Sequence, residues 1–258
     1  MGQALIQGAR ESGVAGKDIS VSDPSVTARE KCASLFDTNT FSNNEEATKN
    51  ADIVVLSVKP QIIGKALQSV AASGRENLLY ISVAAGVNLE QLNSYSEKNI
   101  AIVRCMPNTP AIIRAGITAL IANQNVTELQ RSDAENLLTA VGKTVWLNKE
   151  SLMDAVTAIS GSGPAYFFML IELLESCAVE LGLSAELAKE LAVQTAYGAC
   201  KLARNASESP GELRENVTSP NGTTEAALRV FAAEEIDRIV KSAVTAARDR
   251  SIELAKGN

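Results

Sequence analysis

Three apolar runs, each closed by small residues or proline, constrain this chain most: "ADIVVLSVKP" (51–60), "NLLYISVAAGV" (77–87) and "NIAIVRCMPNTP" (99–110). A strand with one wet face alternates apolar and polar residues. A run that stays apolar is a strand buried on both faces, which calls for a parallel sheet with helices on either side. "ISVS" (19–22), "GITALIAN" (116–123) and "KTVWL" (143–147) add shorter strand candidates among helical stretches. Residues 1–147 therefore read as an α/β domain, and ligands of such sheets bind at the carboxyl ends of the strands. From about 148 the strands stop. Residues 148–258 read as a helical domain broken at Gly161, Gly163 and Pro164, and again over "SPGELRENVTSPNGTT" (209–224). Ala and Leu recur there at three- and four-residue spacing, and faces that wide predict a dimer interface as well as an internal core.

Composition excludes several chemistries. Among 258 residues there is no histidine, so Ser-His-Asp and Cys-His catalysis and His-ligated metals are ruled out. No Asp/Glu cluster has metal-ligand spacing, so no metal is expected. Cys32, Cys105, Cys177 and Cys200 form no C-x-x-C pair and read as buried thiols of a cytoplasmic protein. A formal net charge of -6 argues against nucleic acid or an anionic membrane as partner. No signal peptide is visible, and no apolar run reads as membrane-spanning. An enzyme of this composition relies on a cofactor for its chemistry.

The chain opens "MGQALIQGAR", an amphipathic helix with a glycine at its start and no capping Ser, Thr or Asp before it. Asp23 follows about 20 residues on, after the strand "ISVS". A glycine in the first helical turn and an acidic residue at that distance match the tail of the G-x-G-x-x-G dinucleotide fingerprint. Taken alone, a turn aspartate and an N-terminal glycine fit equally well.

Five further stretches, "SVKP" (57–60), "SVAAGV" (82–87), "VRCMPNTPA" (103–111), "DAVTAISGSGPAYFF" (154–168) and "PGELRENVTSPNGTTEAAL" (210–228), settle that choice. Together, in order and over essentially the whole chain, they resemble the pyrroline-5-carboxylate reductase family. The resemblance implies a Rossmann-type doubly wound sheet followed by an all-α dimerisation domain. It implies reduction of 1-pyrroline-5-carboxylate to L-proline, the last step of proline biosynthesis, by NADPH or NADH. Family members begin with a strand and a full glycine loop, so Met1 and Gly2 are expected to be the end of a loop whose first strand is absent from this sequence.

The same resemblance implies the site. Gly2 and the amides after it would face the cofactor pyrophosphate, with Asp23 at the adenine ribose and Asn44 near the adenosine. Asp23 repels a 2′-phosphate and accepts a bond from a 2′-hydroxyl, which favours NADH. Ser22 and Ser25 offer hydroxyls to a phosphate, so both cofactors stay open. Val58, Lys59 and Pro60 would line the crevice, with Ala84, Ala85 and Gly86 small enough for close backbone approach. Met106, Pro107 and Asn108 would lie by the nicotinamide, with Asn108 as its polar contact. On the substrate side, Thr224 would hydrogen-bond the ring nitrogen. Ser219, Asn221, Gly222 and Thr223 would cradle the carboxylate, with Ser160 and Ser162 beside the same pocket. Homodimers with a shared site, assembled further into rings of dimers, are implied in the same way.

Two other readings compete. A 3-hydroxyacid dehydrogenase would need a lysine early in the helical domain, and "SGSGPAYFFMLIELLESCAVELGLSAELA" has none before Lys189. The other is a non-catalytic homologue that keeps only helical dimerisation or nucleotide binding.

Overall fold

The computed structural model describes residues 1–96 and 99–256. Contacts divide the chain into two units. Met1–Ser162 and the chain from Ala247 onward form the first, and Gly163–Ala246 forms the second. The sequence expectation placed one boundary at 147/148.

In the first unit α1 (Gly2–Glu11) buries Ala4, Leu5, Gly8 and Ala9 on one face. Gly8 is required there, since a Cβ would lie 2.6 Å from Val141 Cγ1. β1 (Ser20–Ser22), α2 (Val26–Phe36), β2 (Asn39–Phe41) and α3 (Asn44–Thr48) follow. Ser25 and Asn43 cap the two helices by accepting the Ala28 and Glu46 N–H groups. Next come β3 (Ile53–Leu56), α4 (Ile63–Ala71), β4 (Leu79–Ser82), α5 (Leu89–Ser94), β5 (Ala101–Met106), β6 (Gly116–Ala122), α6 (Glu128–Thr139), β7 (Gly142–Trp146) and α7 (Met153–Val156). α7 runs into a π-turn over Thr157–Gly161.

The strands form two sheets. β3 to β7 pair in chain order, and β1 and β2 pair in parallel with each other. Every pair in the larger sheet is parallel except β5 with β6. Residues 107–115 between those two are too few for a crossover, so β6 returns antiparallel where the sequence reading expected a parallel sheet throughout. β2 also went unread, because "NTF" is short and carries no apolar run.

Both faces of the larger sheet are covered, as its apolar runs require. Leu79, Ile81, Ala101, Val103 and Cys105 pack with Leu5 of α1 and Leu138 of α6. Tyr80 and Ile102 point the other way, to Ile63 and Leu67 of α4 and Leu92 of α5. The alternation along β4 and β5 places helices on both sides, the doubly wound arrangement.

The second unit is helical: α8 (Gly163–Glu180), α9 (Ala185–Asn205), α10 (Pro210–Asn216), α11 (Thr223–Ala233) and α12 (Ile236–Lys256), which ends in the first unit. Ser184 caps α9 as its sequence suggests. α10 went unread because Pro210 and Gly211 look like breakers. Proline fits the first helical turn, and Ser209 with Glu212 closes a capping box around it. Glu235, at φ 52°, separates α11 from α12, where one helix was expected to the end. The last two residues of that expected helix lie outside the described residues.

Among its described residues this unit buries only Gly163, Ala188 and Ala192. Phe167, Phe168, Met169, Leu173 and Leu191 are exposed. The cysteines follow suit: Cys32 and Cys105 are buried, but Cys177 and Cys200 are exposed, which corrects the expectation of four buried thiols. Glu150–Glu180 also forms one helical stretch long and apolar enough, by length and composition, to cross a membrane. In the sequence Gly161, Gly163 and Pro164 interrupt that run.

An ion pair made by a buried arginine with a partly exposed glutamate ties the first unit together. Arg104 on β5 is 5% exposed, and its Nη1 lies 2.7 Å from Glu150 Oε1. The same carboxylate oxygen accepts the Leu89 N–H at the start of α5, at 2.8 Å. The end of α12 is held by Ser251 Oγ, which donates to Asp154 Oδ1, and by Ala255 O, which accepts from Gln91 Nε2. Glu150→Ala leaves a buried guanidinium and a helix N–H unpaired, and is expected to destabilise by about 3 kcal/mol. Arg104→Met removes the buried charge itself and is expected to cost less. Urea denaturation at fixed protein concentration measures both, and equal losses would contradict this account.

Candidate active site

The carboxyl ends of β3, β4 and β5 carry most of the expected cofactor residues. Gly2 opens α1, and a Cβ on it would lie 3.2 Å from Ser57 Oγ, just past β3. The N-terminus of α1 therefore abuts that strand end. No side chain caps it, so its first N–H groups remain available to an anion. Val58 packs partly into the core on the α4 side. Lys59 is exposed, in extended backbone, and Pro60 begins a 3-10 turn. After β4, Ala84 and Gly86 are buried and Ala85 is exposed. Gly86 has φ +73°, a conformation other residues rarely adopt, so the chain can turn into α5 there.

Asp23 follows β1. Its Oδ1 accepts the Ser25 N–H at 2.8 Å, and its carbonyl accepts from Arg29 Nη1 at 2.6 Å. Sequence reading did not find Arg29, because an arginine one turn into a helix carries no motif. Asn44 is the first residue of α3. The capping role belongs to Asn43, and the Asn44 carbonyl accepts from Thr48 Oγ1.

Past β5, Met106, Pro107 and Asn108 lead into a 3-10 turn over Thr109–Ile113. The structure brings this segment to the π-turn. Asn108 Nδ2 donates to Ser160 O at 3.1 Å, and a Cβ on Gly161 would lie 2.5 Å from Met106 Cε. Ser160 Oγ donates to Val156 O, and the Ser162 N–H donates to Thr157 O, the five-residue bond that defines the π-turn. Cys105 lies beneath, its thiol donating to Ser82 O. Burial pushes that thiol up to about 12, so it is no nucleophile.

In the second unit the loop before α11 gathers Ser219, Asn221, Gly222, Thr223 and Thr224. Asn221 has φ 59°, and the Gly222 N–H donates to Ser219 O at 3.0 Å. A Cβ on Gly222 would lie 2.9 Å from that carbonyl. No side chain caps α11. Glu225, which sequence reading missed, turns its carboxylate back to the Asn221 N–H, bracing the loop from inside the helix. Its position three residues after Gly222, as in a capping box, was the available signal. Among the described residues the Thr224 hydroxyl has no partner in the protein.

These parts fit a dinucleotide on the first unit. An open helix N-terminus suits a pyrophosphate, and a carboxylate past the second helix's strand suits a ribose hydroxyl. On the second unit, the amides of α11 suit a small carboxylate. Among the described residues there is no cluster of metal ligands.

Comparison with known proteins finds a different family model in each part of the chain. Residues 150–254 match the family model described as pyrroline-5-carboxylate reductase dimerisation, and residues 1–86 match that of coenzyme F420-dependent NADP oxidoreductases. The pyrroline-5-carboxylate reductase of Pseudomonas aeruginosa is 45% identical over 256 residues, covering 99% of this chain and 94% of that protein. The structure of the reductase from Coxiella burnetii superposes with a TM-score of 0.93 at 36% identity, over 98% of this chain and 94% of that one. The Plasmodium falciparum pyrroline carboxylate reductase, solved with NADP bound, gives 0.87 at 31% identity, over 99% and 94%. This chain belongs to the pyrroline-5-carboxylate reductase family.

Proposed function

We propose that this chain reduces 1-pyrroline-5-carboxylate to L-proline in the cytoplasm, with NADPH or NADH as the reductant. The observation that carries this reading is the α11 N-terminus, an uncapped set of amides beside a hydroxyl with no partner of its own. The functional boundary falls at 147/148, with the cofactor on residues 1–147 and the substrate cradle and dimer surface on 148–258.

The reduced nicotinamide, when bound, supplies the hydride to the carbon of the C=N bond. The α1 amides hold the pyrophosphate, and Asp23 accepts the ribose 2′-hydroxyl, with Asn44 near the adenosine. Val58, Lys59, Pro60, Ala84, Ala85 and Gly86 line the crevice. In the cradle, the amides of Thr223 and Thr224 at the start of α11 take the substrate carboxylate, with Ser219, Asn221 and Gly222 shaping the loop. The Thr224 hydroxyl donates to the ring nitrogen and stabilises the electron pair that builds there as the hydride reaches the carbon, and a proton from solvent then completes the amine. None of these roles needs a histidine.

The near-absence of a core in the second unit supports a homodimer. Phe167, Phe168, Met169 and Leu173 cover a face of α8 that a second copy would bury. The dimers assemble further into rings of dimers, and light scattering measures how many.

Thr224→Ala is expected to lower kcat by about 10- to 100-fold with an unchanged circular dichroism spectrum; unchanged kinetics would remove Thr224 from the reaction. Asp23→Ser is expected to shift the ratio of kcat/KM values toward NADPH by relieving repulsion of the 2′-phosphate. A ratio that stays where it was would place Asp23 away from the ribose.

A further inference from the structure

The carbonyl of Ser160 is denied the donor that a regular α-helix would bring to it. In a regular helix it would accept the N–H four residues on, but that residue is Pro164, which has none. The π-turn over Thr157–Gly161 passes directly before this gap. Asn108 Nδ2 fills it at 3.1 Å from Ser160 O, while Asn108 Oδ1 accepts the Ile117 N–H at 3.0 Å, at the start of β6. The two partners fix the orientation of the amide: a carbonyl accepts only a donor, and a backbone N–H meets only an acceptor. Aspartate supplies the second bond but not the first, and alanine supplies neither. Met106, two residues before Asn108, reaches the same turn at Gly161.

We infer that Asn108 is a positioning residue, which sets the place of Ser160 and Ser162 by holding the π-turn carbonyl to which Pro164 offers no N–H. This rests on the proposed reading of Ser160 and Ser162 as pocket residues. Asn108 then acts on the substrate through the turn, and its effect differs from that of a direct contact with the nicotinamide. A displaced turn moves Ser160 and Ser162 and leaves the crevice at α1 and Asp23 as it was.

Asn108→Asp separates the two bonds, since it keeps an acceptor for the Ile117 N–H and loses the donor to Ser160 O. Its expected result is a fall of about tenfold in kcat/KM for pyrroline-5-carboxylate, with the Kd for NADH and NADPH unchanged and a Tm close to the wild type. Hydrogen exchange over residues 157–162 is expected to quicken in the same variant, and that readout does not depend on turnover. Asn108→Ala is expected to match Asn108→Asp in exchange over 157–162 and to lose more stability. Unchanged exchange in Asn108→Asp overturns the inference, whatever the activity. So does a changed cofactor Kd with unchanged exchange, which would make Asn108 a direct cofactor contact. A wild type that turns over no pyrroline-5-carboxylate would defeat the proposed function, and the exchange result would still decide the role of Asn108 at the turn.

Discussion

β5 is the strand on which the first unit depends. It pairs with β4 on one side and β6 on the other, and its side chains enter the cores on both faces of the sheet. Arg104 leaves it to meet Glu150, and Glu150 in turn holds the start of α5. Two residues past its end, Asn108 ties the turn before β6 to the π-turn. A strand so thoroughly surrounded has little freedom of register. The segment that follows it inherits that rigidity, through the two bonds of Asn108 to Ser160 and Ile117.

The second unit answers to a different constraint. Ser184 and Ser209 cap α9 and α10, yet among its described residues hardly any side chain is buried. Hydrophobic burial is the main favourable term in folding, so helices this apolar need a further surface to cover them. Function and assembly are therefore one physical problem in this half of the chain. The loop that would hold the substrate carboxylate is braced locally, by Glu225 on the Asn221 N–H and by the close packing of Gly222 on Ser219 O.

What the sequence made legible was what repeats or what motif demands. The three apolar runs announced β3, β4 and β5, and Ser184 announced α9. The glycine at position 2 pointed to a helix start packed against a strand end, and Ser57 supplies that packing. What stayed hidden had no periodic signal. β2 is three residues of mixed polarity. α10 begins with the two residues most often read as breakers. The reversal at β6 follows from the length of a connection, not from the strand's own composition. The double duty of Asn108 depends on Pro164, 56 residues away in the chain, and no local window contains both.

Pyrroline-5-carboxylate reduction needs a dinucleotide and a carboxylate held for one reaction, and we propose that this chain does both. Oxidation of NADH and NADPH by the purified protein, followed with and without 1-pyrroline-5-carboxylate and with proline assayed as product, tests it most directly. The account predicts substrate-dependent oxidation with one proline formed per cofactor consumed. A folded, dimeric protein that binds the reduced cofactor and forms no proline would contradict it.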